Sequence, residues 1–191
     1  MILRILLSAA TVSVAAHSAA AADMTAEQQA FYDGTVVPIV TDPMVIEAIL
    51  AHNAVTADYS ADDIAEFDRQ WAAQVGRSES PLVDSVLDTP VSDLLRETVS
   101  EAQGIITELF VMDAQGLNVA ASSATSDYWQ GDEAKHAETY GAGAGAFHVS
   151  EVEFDESSQV YAMQISFTVV DPATDAPIGA ITVGVNAAAL E

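Results

Sequence analysis

The stretch IITELFVMDAQGLNVAASSATSDYWQGDE, residues 105–133, decides how this chain reads. Two short apolar runs, 105–112 and 117–121, flank Asp113-Ala114-Gln115-Gly116, a tight-turn sequence whose glycine is free to take a positive φ. The second run opens into Thr125-Ser126-Asp127-Tyr128-Trp129-Gln130-Gly131-Asp132-Glu133, where aromatic and acidic side chains crowd onto a loop. A strand, a turn, a strand and a polar-aromatic loop suit a binding site better than a catalytic one.

Downstream the period stays near two. Gly141-Ala142-Gly143-Ala144-Gly145 reads as a flexible connector, and residues 146–154 and 159–170 are expected to pair across Asp155-Glu156-Ser157-Ser158. In the longer run Tyr161, Met163, Ile165, Phe167 and Val169 share one face, with Gln164, Ser166 and Thr168 on the other. Asp171 to Pro177 makes the next turn, and residues 178–185 close the sheet. Upstream the period is helical. Thr25-Ala26-Glu27-Gln28 has capping-box spacing. Thr41-Asp42-Pro43 starts a second helix with the stripe Val45, Ile46, Ile49 and Leu50. Ser60-Ala61-Asp62-Asp63 caps a third carrying Ile64, Phe67 and Trp71, and another helix spans about 91–103 after a break at 76–81. The expectation is one α+β domain, 23–191: N-terminal helices (23–103) packed on a five-stranded antiparallel sheet (104–191), with a long insertion between strands two and three.

Residues 1–22 have the layout of a secretory signal peptide: Arg4, an apolar stretch over 5–16, then Ala19-Ala20-Ala21-Ala22 before polarity begins at Asp23. The apolar stretch is about 12 residues, against about 20 needed to span a bilayer, so cleavage and export to a periplasm are expected rather than membrane insertion. Removing it leaves four basic residues against 29 acids, a net charge of −25. Such a surface repels nucleic acid and anionic lipid, and suits salty surroundings. There is no cysteine, so thiol chemistry is excluded.

N-terminal helices leading into an antiparallel sheet, with Leu109-Phe110-Val111-Met112-Asp113-Ala114-Gln115-Gly116-Leu117-Asn118-Val119-Ala120 and the closing hairpin Asp171 to Val185, resemble a single Cache domain, also called a PDC sensor domain. The resemblance covers roughly 25–190 and implies a PAS-like sheet, with the first segment as its D-x-x-G hairpin. It also implies extracytoplasmic binding of a small ligand on the sheet's pocket side. Most such domains are flanked by transmembrane helices joined to a signalling module. This sequence reads without either, so a membrane receptor or transporter is the expected partner.

Enzyme signatures such as H-E-x-x-H, G-x-S-x-G and Walker A are missing from the sequence, and no cofactor is expected. His52, His136 and His148 lack metal-ligand spacing and read as surface or satisfied core histidines. The candidate ligand-binding residues are Asp127, Tyr128, Trp129, Gln130, Asp132, Tyr140 and Tyr161. The aromatic side chains supply π-faces and the acids supply charge. Structurally, Trp129 would instead plug the core while the acids cap a helix beginning near Gly131, and Tyr161 would belong to its apolar face. Asp113 reads as a turn residue. Between Glu97 and Glu191 one basic residue, Lys135, stands against fifteen acids. That balance favours a cationic or zwitterionic amine over a dicarboxylate.

Overall fold

The structure is a computed structural model that describes residues 24–155 and 159–189; the expected signal peptide lies outside the described residues, as do residues 156–158 of the expected turn. The helical half begins where the capping box places it. The Thr25 hydroxyl accepts from Gln28 N at 3.2 Å and Gln28 Oε1 accepts from Thr25 N at 2.9 Å, opening α1 (Ala26–Phe31). The helix then widens into a π-helical turn, Tyr32–Val36, before α2 (Val37–Val40). Pro38 supplies the cause. It has no N–H to give, and its ring crowds the carbonyl four residues back, so the turn takes an extra residue.

Asp42 caps α3 (Pro43–Thr56) by accepting from Met44 N, with proline in the first turn. Ser60 and Asp63 form a reciprocal box on α4 (Ala61–Gln74). The expected break at 76–81 is real, and Gly76 sits at φ +73 there, but Pro81 also starts a short helix too brief to show a period in the sequence, α5 (Pro81–Leu87). Thr89 then caps α6 (Pro90–Glu101).

The sheet comprises β1 (Ile106–Met112), β2 (Asn118–Ala121), β3 (Phe147–Val149), β4 (Glu153–Asp155), β5 (Val160–Val170) and β6 (Pro177–Asn186). All pairings are antiparallel, in the order β2-β1-β6-β5-β3 with β4 also on β5. The expected third strand is thus in two pieces at one position, which keeps five positions across the sheet. The insertion after β2 carries α7 (Ala134–Ala137). Glu133 stands at its N-cap without a side-chain capping bond, because its carboxylate goes to Lys135 Nζ at 3.0 Å. The acids therefore do not cap a helix from Gly131. Nor is the Gly/Ala run a loose connector: the Thr168 hydroxyl donates to Gly143 O at 2.8 Å and Thr168 N to Ala146 O at 3.1 Å, stitching it to β5.

Alternation in the strands builds two cores. Leu109, Val111, Ile165, Phe167, Val169, Ile181 and Val183 face α1, α2, α3 and α6. Phe110, Met112, Leu117, Ala121 and Ala180 face the other way, onto Ile64 and Trp71 of α4 and Val83 and Val86 of α5. The second face is only half covered. Helices α4 and α5 pack over the Met112 end of β1, and the rows through Glu108, Gly184 and Gln164 stay open. Among the described residues no single helix is long and apolar enough to cross a membrane.

Candidate functional site

The open rows form the floor of a groove of about 860 Å³. One β-bulge shapes it. The register of β1 against β6 shifts between Ile106 and Glu108, which brings Thr107 and Glu108 both over Gly184. Bulges recur beside binding sites because they re-aim side chains in this way. Across the floor Gln164 Nε2 donates to Glu108 Oε1 at 2.8 Å, passing above Gly184, which pairs with both strands. That close pass requires the glycine: a Cβ at Gly184 would lie 2.6 Å from both Glu108 Cγ and Thr107 Oγ1. Gly184→Ala is expected to destabilise by about 1–3 kcal/mol through overpacking, read as a lowered denaturation midpoint. An unchanged midpoint would mean that the floor is looser than described.

The walls come from the insertion and the edge strands. Ser123 to Ser126, Glu133 and Lys135 line one side; His148, Ser150, Glu151 and Glu153 line the other. Lys135 is only 13% exposed and is already satisfied, with Glu133 Oε2 and Gln130 Oε1 each at 3.0 Å and its ammonium 5.5 Å from the centre of the Phe110 ring. His148 Nδ1 lies 2.9 Å from Glu138 Oε2. Glu108, Glu151 and Glu153 have no cationic partner among the described residues. The groove is therefore net acidic, and its one lysine is engaged.

The seven residues expected to bind ligand sit beside this groove, and none lines it. Tyr128 is buried and stacked on Trp71, with ring centres 5.5 Å apart. Trp129 is half-buried and donates its indole N–H to Gln115 O at 2.8 Å. Gln130 is buried, donating to Asp127 O and accepting from Lys135. Asp127 and Asp132 are exposed, Asp127 accepting from the Ser126 hydroxyl. Tyr140 stacks on His136. Tyr161 is 63% exposed, against Phe154 on β4. The loop of residues 125–130 thus braces the groove wall. Its backbone is fastened by Asp68 of α4, whose Oδ1 accepts from Tyr128 N and Trp129 N at 2.9 and 3.0 Å.

Behind that loop lies a polar chain that sequence reasoning missed. Asp113 is 0% exposed. Its Oδ1 accepts from Gln115 N and Leu117 N, which is the turn role expected of it. Its Oδ2 accepts from the Thr56 hydroxyl at 2.6 Å and lies 2.9 Å from His52 Nδ1. His52 Nε2 lies 3.2 Å from the Tyr128 hydroxyl, and His136 Nε2 lies 3.1 Å from Asp113 O. With Nδ1–H given to the carboxylate, a neutral His52 accepts the Tyr128 proton at Nε2. Asn53 adds a second tie, accepting from Ala114 N and donating to Ile178 O. Thus the last two turns of α3 clamp the β1–β2 turn.

Burial pushes the Asp113 carboxyl up, but hydrogen bonds from His52, Thr56 and Leu117 N outweigh it and hold the group below its ordinary value. Burial, seconded by the Asp113 charge, pushes the Tyr128 hydroxyl well above its ordinary value. Tyr128, His52 and Asp113 stand in the order of a nucleophile, a base and an orienting acid, yet a buried hydroxyl so reluctant to ionise is a poor nucleophile. Burial also depresses His136, against opposing contributions from Asp113.

No protein-family model matches the chain, and no curated protein matches it by sequence. Among solved structures it is similar to the ligand-binding domain of the Campylobacter jejuni chemoreceptor Tlp3 in complex with 4-methylisoleucine, at 10% identity and TM-score 0.40 over 84% of this chain and 62% of that one. The V. cholerae histidine kinase DctB sensor domain gives 15% identity and TM-score 0.40 over 83% of this chain and 58% of that one. The E. coli DcuS sensor domain gives 13% and 0.39, over 68% and 90%. The chain spans about three fifths of the length of the first two. At these scores the likeness says nothing about ligand or partner, and the α+β fold rests on the strand order and packing described above.

Proposed function

We propose that this chain is a small-ligand-binding sensor domain of the single Cache type, exported to the periplasm, whose ligand is a cationic or zwitterionic amine held in the groove. One observation supports this above the others. The groove opens on the uncovered half of the sheet, and its lining includes Glu108, Glu151 and Glu153, which have no cationic partner among the described residues, and a lysine already paired with Glu133. Glu108 is half-buried and Glu151 and Glu153 are exposed, and together they attract an ammonium and repel a second carboxylate. The volume falls within the ordinary range for small-molecule sites, about 300–1,000 Å³. Binding rather than turnover is the activity, and a membrane-bound receptor or transporter is the partner that would read it out. The −25 charge of the expected mature chain argues against nucleic acid.

Calorimetry against butylamine, γ-aminobutyrate and succinate tests the reading. Either nitrogen-containing probe is expected to bind with one-to-one stoichiometry, and Glu108→Gln to weaken it by about 2–5 kcal/mol if the pair is buried. Succinate binding with neither nitrogen compound doing so would overturn the charge argument.

A further inference from the structure

The sheet ends in an open edge. Strands β3 and β4 both pair with β5 and have no other strand neighbour among the described residues. Ser150 N donates to Gln164 O at 2.9 Å and Thr168 N to Ala146 O at 3.1 Å, so the even-numbered residues of β5 are the ones bonded to this edge. By the alternation of an antiparallel ladder, Glu153 and Asp155, opposite Ala162 and Val160, turn their backbone groups inwards. The N–H and C=O of Phe147, Val149 and Phe154 therefore point outwards, away from β5. Apolar side chains gather at the β4 end. Phe154 is 48% exposed and Tyr161, opposite it on β5, is 63% exposed, with their rings edge to face and centres 5.4 Å apart. Val152, two residues earlier, is exposed as well. Three of the seven large apolar side chains exposed among the described residues thus belong to one hairpin, a concentration that marks a contact surface rather than scattered exposure. Glu153 lies on the opposite face, beside the groove, and residues 147–170 contain four acids and no lysine or arginine.

We infer that this edge is the surface by which the chain meets a partner protein, through an extended segment of the partner that alternates basic and apolar residues and adds as a strand antiparallel to β4. The inference goes beyond the groove and does not depend on what fills it. In antiparallel addition, the residue opposite Phe154 exchanges both backbone hydrogen bonds with it and shares its face. That residue is apolar, set against Phe154 and Tyr161. Its neighbour opposite Glu153 is basic, because an opposite charge favours the cross-strand pair. Backbone bonds supply affinity and the alternate side chains supply selection, as in other cases of strand addition. A second copy of this chain fits poorly. Pairing two such edges would set four acids against four, and charged edge strands keep like chains apart in this way. An anionic membrane surface is repelled for the same reason.

The test titrates the folded chain with acetylated, amidated heptapeptides in about 0.15 M NaCl, which screens exposed charges beyond about 8 Å. A peptide alternating lysine and valine is expected to bind and to slow hydrogen exchange at the Phe154 amide. Three relatives should each bind about tenfold or more weakly. One is an isomer with its lysines and valines in separate blocks, the second carries N-methylated valines that cannot donate to the edge, and the third has glutamate for lysine. Tyr161→Ala should weaken the alternating peptide about tenfold with circular dichroism unchanged, and Glu47→Gln, on the exposed face of α3, should change nothing. Equal affinity for the alternating and blocked peptides would reduce the effect to general attraction by an acidic surface and overturn the inference. So would the absence of binding, or binding without protection at Phe154. A dimer of the chain alone, seen by sedimentation and dissociated by Tyr161→Ala, would assign the edge to a second copy and overturn the partner segment.

Discussion

Trp71→Ala is expected to cost on the order of 3–5 kcal/mol of folding stability, the range for deleting a buried tryptophan or phenylalanine side chain. Trp71 is 0% exposed, stacked on Tyr128, and its indole N–H satisfies the buried carbonyl of Thr125 at 2.9 Å. Truncation therefore removes packing from the second core and leaves an acceptor without its donor. It also loosens the loop that walls the groove, because Tyr128 would lose its stacking partner. Trp129→Ala serves as the comparison. That side chain is half-buried, and its loss should cost clearly less. Urea denaturation followed by circular dichroism measures both. A loss below about 1 kcal/mol for Trp71→Ala would contradict its place in the core.

The two tryptophans also show what is legible in the sequence. Trp71 lies at helical spacing from Ile64 and Phe67, so its role in packing α4 is readable from period alone. Capping spacings locate the starts of α1, α3 and α4, because a cap is a local hydrogen bond between residues three or fewer apart. Sheet composition is readable for a similar reason: alternation assigns faces without knowledge of partners. The groove is not. Its floor is made by Glu108, Gly184 and Gln164, on three strands whose pairing brings together residues up to 76 positions apart. Aromatic and acidic residues in 127–133 suggest a ligand site because they are dense in sequence. In the fold Tyr128 is in the core, Asp127 and Asp132 are in solvent, and none of the three lines the groove.

The polar chain behind the wall leaves one usable signal. On α3 the buried stripe Val45, Ile46, Ile49 continues at helical spacing into His52, Asn53 and Thr56. A stripe that turns polar while keeping its period points to polar partners on the facing element. Nothing in the sequence identifies Asp113 as that partner, 61 residues from His52 and 57 from Thr56. A single Asp in a turn explains itself locally, which is why its second role stays hidden. A mid-strand acid such as Glu108, beside the apolar run Leu109-Phe110-Val111-Met112, carries a comparable signal for the groove floor.

Asp113→Ala is accordingly expected to destabilise by about 1–3 kcal/mol for each buried donor left without its acceptor. The change leaves His52, Thr56 and the amides of Gln115 and Leu117 without their common acceptor; Thr56 and Leu117 are buried, and His52 and Gln115 are half-buried. Asp113→Asn should cost less, since its amide oxygen can still receive the two turn amides. The pH dependence has a defined sign. Asp113 is held below its ordinary value in the fold, so its contribution is complete above the unfolded carboxylate value, about 3.9, and is lost as pH falls through the lower folded value. His136 adds an earlier step of the same sign. Burial depresses it, so the unfolded chain takes up its proton first, and stability begins to fall as pH drops through about 6.5. Denaturation midpoints from pH 8 to pH 3 should therefore decline in two stages. His136→Asn should flatten the upper stage and Asp113→Asn the lower. A His136→Asn profile with the upper stage intact would show that the decline there originates elsewhere, and an Asp113→Ala variant as stable as the parent at neutral pH would remove the buried chain from any account of this fold.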